Sequence, residues 1–178
     1  MPQFKTVTLE TAEGEAKEQL ESLNRNMGRV PNIYAVMAQS PSTLAAQLAL
    51  TQELGRGTLS DAINEKIALV VSNDNSCGYC VSAHSAIAAS LGMSDVDIID
   101  AQKGKSKDPL EQAILTLAIS INGNHGHGDN SAIRRALEAG LTEAEVIEVV
   151  GQVVKNIMTN TVNGIAETTI DFPNRTLI

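Results

Sequence analysis

Residues 60–92 read SDAINEKIALVVSNDNSCGYCVSAHSAIAASLG, two apolar runs parted by a cluster of turn formers. Ser60 or Asp61 can cap a helix that runs to about Ser72, with Ile63 to Val71 too apolar to stand in water alone. Asn73-Asp74-Asn75-Ser76 then favours a turn, because Asx and Ser side chains bond their own backbone. A second helix is expected from Cys77 to Leu91, closed by Gly92.

The same punctuation recurs on both sides. Upstream, residues 10–27 are charged and periodic and end at Gly28, a left-handed cap by residue type, before Pro31 restarts the chain. Ser40 and Pro41 suit the N-cap and first position of a helix ending near Gly55. Downstream, Ser94 can cap a short helix, and Asp108-Pro109 with Glu111 opens another lasting to about Asn122. Asn122 to Gly128 reads as a glycine-rich loop, Asp129 can cap residues 130–139, and Thr142 with Glu145 has the capping-box spacing for a segment over 143–170. No stretch alternates like a strand, so the expectation is one all-α domain over residues 1–178, a bundle of about eight helices.

Composition agrees. Aromatic residues are 2% of the chain and Trp is absent, so the core must come from aliphatic side chains and Ala, which suits helices. Ile114 to Ile121 and Val146 to Val154 are further apolar runs; packing absorbs most of that surface, and the surplus predicts a homo-oligomer. Gly151, inside the valine-rich run, is expected to permit close helix packing.

A net charge of −8 without a Lys/Arg cluster argues against nucleic acid, since phosphate binding needs clustered cations. Two Phe and two Tyr are also too few to stack single-stranded bases. The N-terminus lacks a basic stretch followed by an apolar core, and nowhere do about 18 apolar residues run together, so no membrane span is expected and the chain reads as cytoplasmic. In a reducing compartment, two cysteines two residues apart are more often catalytic or metal-binding than structural.

Chemistry concentrates between Glu65 and His84. On one helix Cys77, Cys80 and His84 fall at i, i+3 and i+7, within roughly 60° of one another around the axis. Neighbours three apart stand about 5–6 Å apart between Cβ atoms, so modest tightening of the first turn lets the sulfurs bond. A helix start also favours thiolate over thiol. His84 can relay a proton, and Glu65, on the preceding helix among Ile63, Ile67 and Ala68, is the natural carboxylate to orient its imidazole.

Glu65-x11-Cys77-x2-Cys80-x3-His84, with Ser72-Asn73 and the run Cys77 to His84 around it, resembles the alkylhydroperoxidase D and carboxymuconolactone decarboxylase-like superfamily in its peroxidase-related branch. The motif covers about twenty residues, with looser agreement over the helical pattern and the ending Asn160 to Pro173. The resemblance implies an all-α fold in trimers or hexamers, and a thiol-dependent peroxidase that needs no cofactor. Cys80 is implied to attack the peroxide and Cys77 to resolve the sulfenic acid, with Glu65 and His84 moving protons and an external lipoyl or thioredoxin-like dithiol as reductant. The chain departs from the best-known peroxidase at Tyr79, where that enzyme carries a second His. The decarboxylase branch generally lacks the cysteine pair, which disfavours that activity here.

Competing readings rest on the same residues. Cys77, Cys80 and His84 offer three zinc ligands, although no second ligand pair accompanies them. A redox-responsive or zinc-binding interaction protein would use the cysteines without turnover, and a thioredoxin-like oxidoreductase would need a βαβ pattern that is missing. His125 and His127 form an H-x-H pair that reads as part of a polar loop and receives no role.

Overall fold

The computed structural model describes residues 3–127 and 130–178. Among these residues nine helices and no strand are found: α1 (Gly14–Met27), α2 (Asn32–Met37), α3 (Pro41–Leu54), α4 (Asp61–Asp74), α5 (Gly78–Ser90), α6 (Asp95–Gln102), α7 (Pro109–Asn124), α8 (Ser131–Glu138) and α9 (Glu143–Ala166). Most expected caps are present. Ser60 Oγ accepts from Ile63 N, Ser94 Oγ from Asp97 N, and Asp108 from Leu110 N and Glu111 N. Thr142 and Glu145 complete the capping box, and Gly28 ends α1 in the left-handed region at φ 73°. The expected Asp129 cap lies outside the described residues, as do Met1 and Pro2 at the chain start.

Several element bounds differ from the sequence reading, and α4 runs on to Asp74, into the expected turn. The ninth helix is α2, six residues directly after Pro31, too short to show a period. α1 starts at Gly14 rather than residue 10, because Thr8 and Thr11 trade side-chain bonds with each other's backbone N–H groups and hold a turn there. α7 continues to Asn124, so the first three residues of the expected loop are helical. α9 stops at Ala166, four residues early: Glu167 turns left-handed at φ 49° and Thr168 N bonds back to Asn163 O.

Two main cores flank the pair α4 and α9. One joins Ile67, Val70 and Val71 of α4 to Ile114, Leu115 and Leu117 of α7, Ala132 and Ala136 of α8, and Val146, Val149 and Val153 of α9. The other joins Leu20 and Leu23 of α1, Ile33 and Met37 of α2 and Leu44 of α3 to Cys77, Tyr79, Cys80 and Ala83. The cysteines therefore sit in packed apolar surroundings, where each fully buried Leu or Ile side chain contributes ~1.5–3 kcal/mol. Gly151 has the expected role, since a Cβ there would meet Leu54 Cδ2 of α3 at 2.8 Å. The valine-rich run divides between core and surface: Val149 and Val153 are buried, while Ile147 and Val154 are 69% and 50% exposed.

After α9 the chain runs back across α5. Arg175 N donates to Ser82 Oγ, and Ile178 N and O bond Asn73. No helix of the described residues is long and apolar enough to cross a membrane.

Candidate active site around Cys77 and Cys80

The turn from α4 into α5 sets the site. Asn75 caps α4, Ser76 takes a left-handed conformation at φ 56°, and Cys77 N bonds Ser72 O at 2.8 Å. Cys77 then stands as the N-cap of α5 rather than as its first residue, and its Sγ accepts from Cys80 N at 3.3 Å. A sulfur occupies the place usually held by a Ser or Asp oxygen, at the positive end of the helix. Freed from helical geometry, Cys77 comes close enough for its sulfur to be bonded to that of Cys80, with Cα atoms 5.3 Å apart, inside the range a disulfide requires.

Both cysteines are buried, but their surroundings differ. Cys80 lines a small cavity of about 90 Å³ with Tyr34, Ala83, His84, Asn163 and Phe172, and Cys77 does not. His84 Nδ1 donates to Glu65 Oε2 at 2.8 Å. An ionised carboxylate only accepts, so Nδ1 carries the hydrogen and Nε2 is the nitrogen left to exchange a proton. The motif residues Glu65, Cys77, Cys80 and His84 are thus brought into one cluster across α4 and α5.

Three residues absent from the sequence reading join them. Asn163 Nδ2 donates to Cys80 Sγ at 3.2 Å. Lys155 donates to Gln152 Oε1 at 2.6 Å; burial holds its ammonium below the usual lysine range, against the pull of the Glu65 charge. Burial, helped by the same negative charge, raises the Tyr34 hydroxyl. Glu65 is therefore felt from α2, α5 and α9 at once. A signal was available: Gln152, Asn156, Asn160 and Asn163 recur at helical spacing and are all buried, an amide stripe on an otherwise apolar face.

Tyr79 is built into the scaffold. Its hydroxyl donates to Asp171 Oδ1 at 2.7 Å and accepts from Ile33 N at 3.2 Å, and burial followed by the Asp171 bond raises its pKa far above the usual tyrosine value. Phe172 stacks edge-on against it, 5.7 Å between ring centres, with the Arg29 guanidinium 4.3 Å from the Phe172 ring. Tyr79 anchors the C-terminal tail and is a poor substitute for a proton-relaying His. His125 caps α7 in a left-handed conformation and lines other surface hollows. Among the described residues no three His, Cys, Asp or Glu side chains are grouped to hold a metal ion.

Residues 41–106, which span α3 to α6 and the whole motif, match the model of the carboxymuconolactone decarboxylase family. The fold is alkylhydroperoxidase D-like. It is shared with a peroxidase-related protein of Ralstonia eutropha JMP134, described as an alkylhydroperoxidase AhpD core, at TM-score 0.85 and 19% identity over 96% of this chain and 92% of that one. A peroxidase-related protein of Silicibacter sp. TM1040 aligns at TM-score 0.80 and 22% identity, covering 94% of this chain and 93% of its own. The debrominase Bmp8, in complex with 2,3,4-tribromopyrrole, aligns at TM-score 0.78 and 18% identity over 96% and 94%. No curated protein matches the sequence significantly. Within the alkylhydroperoxidase D-like fold, the motif lies on the α4–α5 hairpin beside the last turns of α9.

Proposed function

We propose that the chain is a thiol-dependent peroxidase that cycles Cys77 and Cys80 between dithiol and disulfide. One observation carries this reading: Cys80 and His84 line the same cavity while Glu65 holds His84 from behind at 2.8 Å. A nucleophile, a proton carrier and its orienting carboxylate are the parts that thiol attack on a peroxide requires.

In the cycle, His84 takes the Cys80 proton, and the thiolate attacks the terminal peroxide oxygen. The S–O bond forms as the O–O bond breaks, and the leaving alkoxide takes its proton from His84 and departs as the alcohol, or as water from hydrogen peroxide. The sulfur loses two electrons and the peroxide gains them. Cys77, stabilised as thiolate at its cap position, attacks the Cys80 sulfenic acid; hydroxide leaves with a proton as water, and the disulfide results. An external dithiol, lipoyl or thioredoxin-like, returns the pair to the reduced state. A cavity of about 90 Å³ has room for a few water-sized groups and favours hydrogen peroxide or a short alkyl hydroperoxide.

A cytoplasmic setting and assembly into trimers or hexamers belong to the same proposal. The exposed Ile147, Val154 and Ile165 of α9 fit a subunit contact. The test is a thiol count on the reduced protein before and after one equivalent of peroxide, followed by steady-state turnover with a dithiol present. Loss of two thiols into an intrachain Cys77–Cys80 bond, with multiple turnovers, is the expected result. Loss of thiols without turnover would instead favour a redox-responsive protein that is not an enzyme.

A further inference from the structure

Asn163 sits in the last full turn of α9, 5% exposed, with its backbone oxygen receiving both Glu167 N and Thr168 N. Those two hydrogen bonds fix the turn and aim the side chain at α5. Nδ2 donates to Cys80 Sγ at 3.2 Å. The direction of this amide follows from chemistry, because a disulfide sulfur has no hydrogen to give and can only accept. Oδ1, the other end of the same amide, is buried and has no hydrogen-bond partner. Other buried side-chain acceptors also lack a partner, Gln47 and Gln102 among them, but of these Asn163 alone lines the cavity of Cys80. A buried amide oxygen left unpaired is destabilising, and such groups call for a reason.

We propose that Asn163 is a catalytic residue that holds the Cys80 sulfur in both of its reactive states: Nδ2 donates to the thiolate, and Oδ1 accepts the O–H that the sulfur acquires as sulfenic acid. This inference rests on the peroxidase reading and deepens it. Before the reaction the donor stabilises negative charge on sulfur, a task for which a charge-assisted hydrogen bond is well suited. When the thiolate takes the terminal OH of the peroxide, the S–O–H hydrogen appears beside Oδ1, completing a ring of two hydrogen bonds between one amide and one sulfenic acid. That arrangement holds the sulfenic acid while Cys77 attacks its sulfur and displaces the hydroxyl group, which leaves as water. Other ionisable groups around the sulfur come from every neighbouring helix: His84 and Tyr79 from α5, Tyr34 from α2, with Glu65 of α4 and Lys155 of α9 behind them.

The experiment uses the Cys77→Ser protein, in which Cys80 is the lone thiol, with and without Asn163→Ala or Asn163→Asp. Iodoacetamide alkylation against pH gives the Cys80 pKa without any peroxide. Hydrogen peroxide oxidation gives the rate, and trapping with a cyclic diketone gives the lifetime of the sulfenic acid. Loss of one hydrogen bond to a charged group predicts a Cys80 pKa raised by about one to two, and oxidation at neutral pH slowed roughly tenfold to hundredfold, in Asn163→Ala. Asn163→Asp, which keeps the shape but sets a carboxylate against the thiolate, should raise the pKa further; it also serves as the reading if the alanine variant does not fold. Both should shorten the sulfenic acid lifetime. An alkylation profile and oxidation rate within about twofold of the parent in the folded variant would overturn the role of Asn163. Failure of the parent itself to react with peroxide would instead overturn the peroxidase reading, and the alkylation profile would still decide whether Asn163 governs the Cys80 thiolate.

Discussion

His84 Nδ1 lies 2.8 Å from Glu65 Oε2, and this bond ties α5 to α4 with both side chains mostly buried, 18% and 14% exposed. An imidazole fixed through Nδ1 has one tautomer when neutral, so its other nitrogen is committed to exchanging protons. In the proposed cycle the carboxylate also serves to stabilise the imidazolium formed as His84 takes the thiol proton.

Glu65→Gln keeps the volume and one hydrogen bond while removing the negative charge. Cys80 oxidation by a standard peroxide should fall by roughly 10²–10⁴-fold, the usual contribution of general acid–base catalysis, with Tm little changed. His84→Asn should lose a similar factor, and the double variant should be little worse than either, because residues acting as one unit are not additive. Stopped-flow rates across the pH range for all four proteins decide it. A wild-type profile in Glu65→Gln would remove Glu65 from the mechanism and leave activation by the helix start.

The two cysteines stand in different electrostatic settings, and their variants should differ accordingly. Cys77 holds the cap position with Cys80 N donating to it, whereas Cys80 faces the cavity with His84. Cys77→Ser should accumulate a trappable sulfenic acid at Cys80, and Cys80→Ser should react at least about tenfold more slowly with peroxide, since a thiolate outside the relay loses general-base help. Mass spectrometry of the trapped adduct assigns the site. An adduct on Cys77 in the Cys80→Ser protein, formed at the wild-type rate, would exchange the roles.

Helix order and the motif were legible because their signals are local: caps at Ser60, Ser94 and Thr142, the left-handed Gly28, and four motif residues within one hairpin. Asn163 and Lys155 were not, since they reach the site only through the packing of α9 against α4 and α5, 90 residues later in sequence for Lys155 and Glu65. Tyr79 was noticed as a departure, but its actual work depends on Asp171, a partner that no spacing rule connects to it. The early end of α9 was hidden for a related reason. Residues 167–170 contain no helix breaker, and it is the left-handed turn at Glu167, feeding the tail back across α5, that stops the helix.

Close approach of α9 to α3 at Gly151 gives a stability prediction separate from the chemistry. A Cβ at 151 would meet the methyl end of Leu54 at 2.8 Å, a flexible group that can give way. Gly151→Ala gains about 1 kcal/mol of helix propensity and loses a similar amount to crowding, so its denaturation midpoint should stay near wild type. Gly151→Val adds two methyl groups beyond that Cβ, which Leu54 cannot clear, and should lower stability by ~1–3 kcal/mol. Urea unfolding followed by circular dichroism checks both; equal stability of the valine variant would mean that α3 and α9 can separate freely.

Tyr79 connects the active-site helix to the tail, and its ionisation should be visible in stability at high pH. Its phenol is held neutral by burial and by donation to Asp171, while Asp171 also accepts from Arg29 Nη1 and Asn32 N. A group whose folded pKa is raised contributes stability that is complete below the unfolded value, about 10 for tyrosine, and is lost as pH climbs above it, because the unfolded chain releases a proton that the folded chain retains. Tyr34, raised mainly by burial, acts in the same sense. Wild-type stability should therefore decline above about pH 10 more steeply than that of Tyr79→Phe, which has no such proton to lose. At neutral pH wild type keeps its full advantage: Tyr79→Phe leaves Ile33 N and one Asp171 oxygen without this partner and should be less stable by ~1–3 kcal/mol. Urea midpoints from pH 7 to 11 for wild type, Tyr79→Phe and Tyr34→Phe test the sign. Parallel curves for wild type and Tyr79→Phe would show that the phenol ionises as easily in the folded protein as in the unfolded chain, and that the bond to Asp171 does not hold the tail.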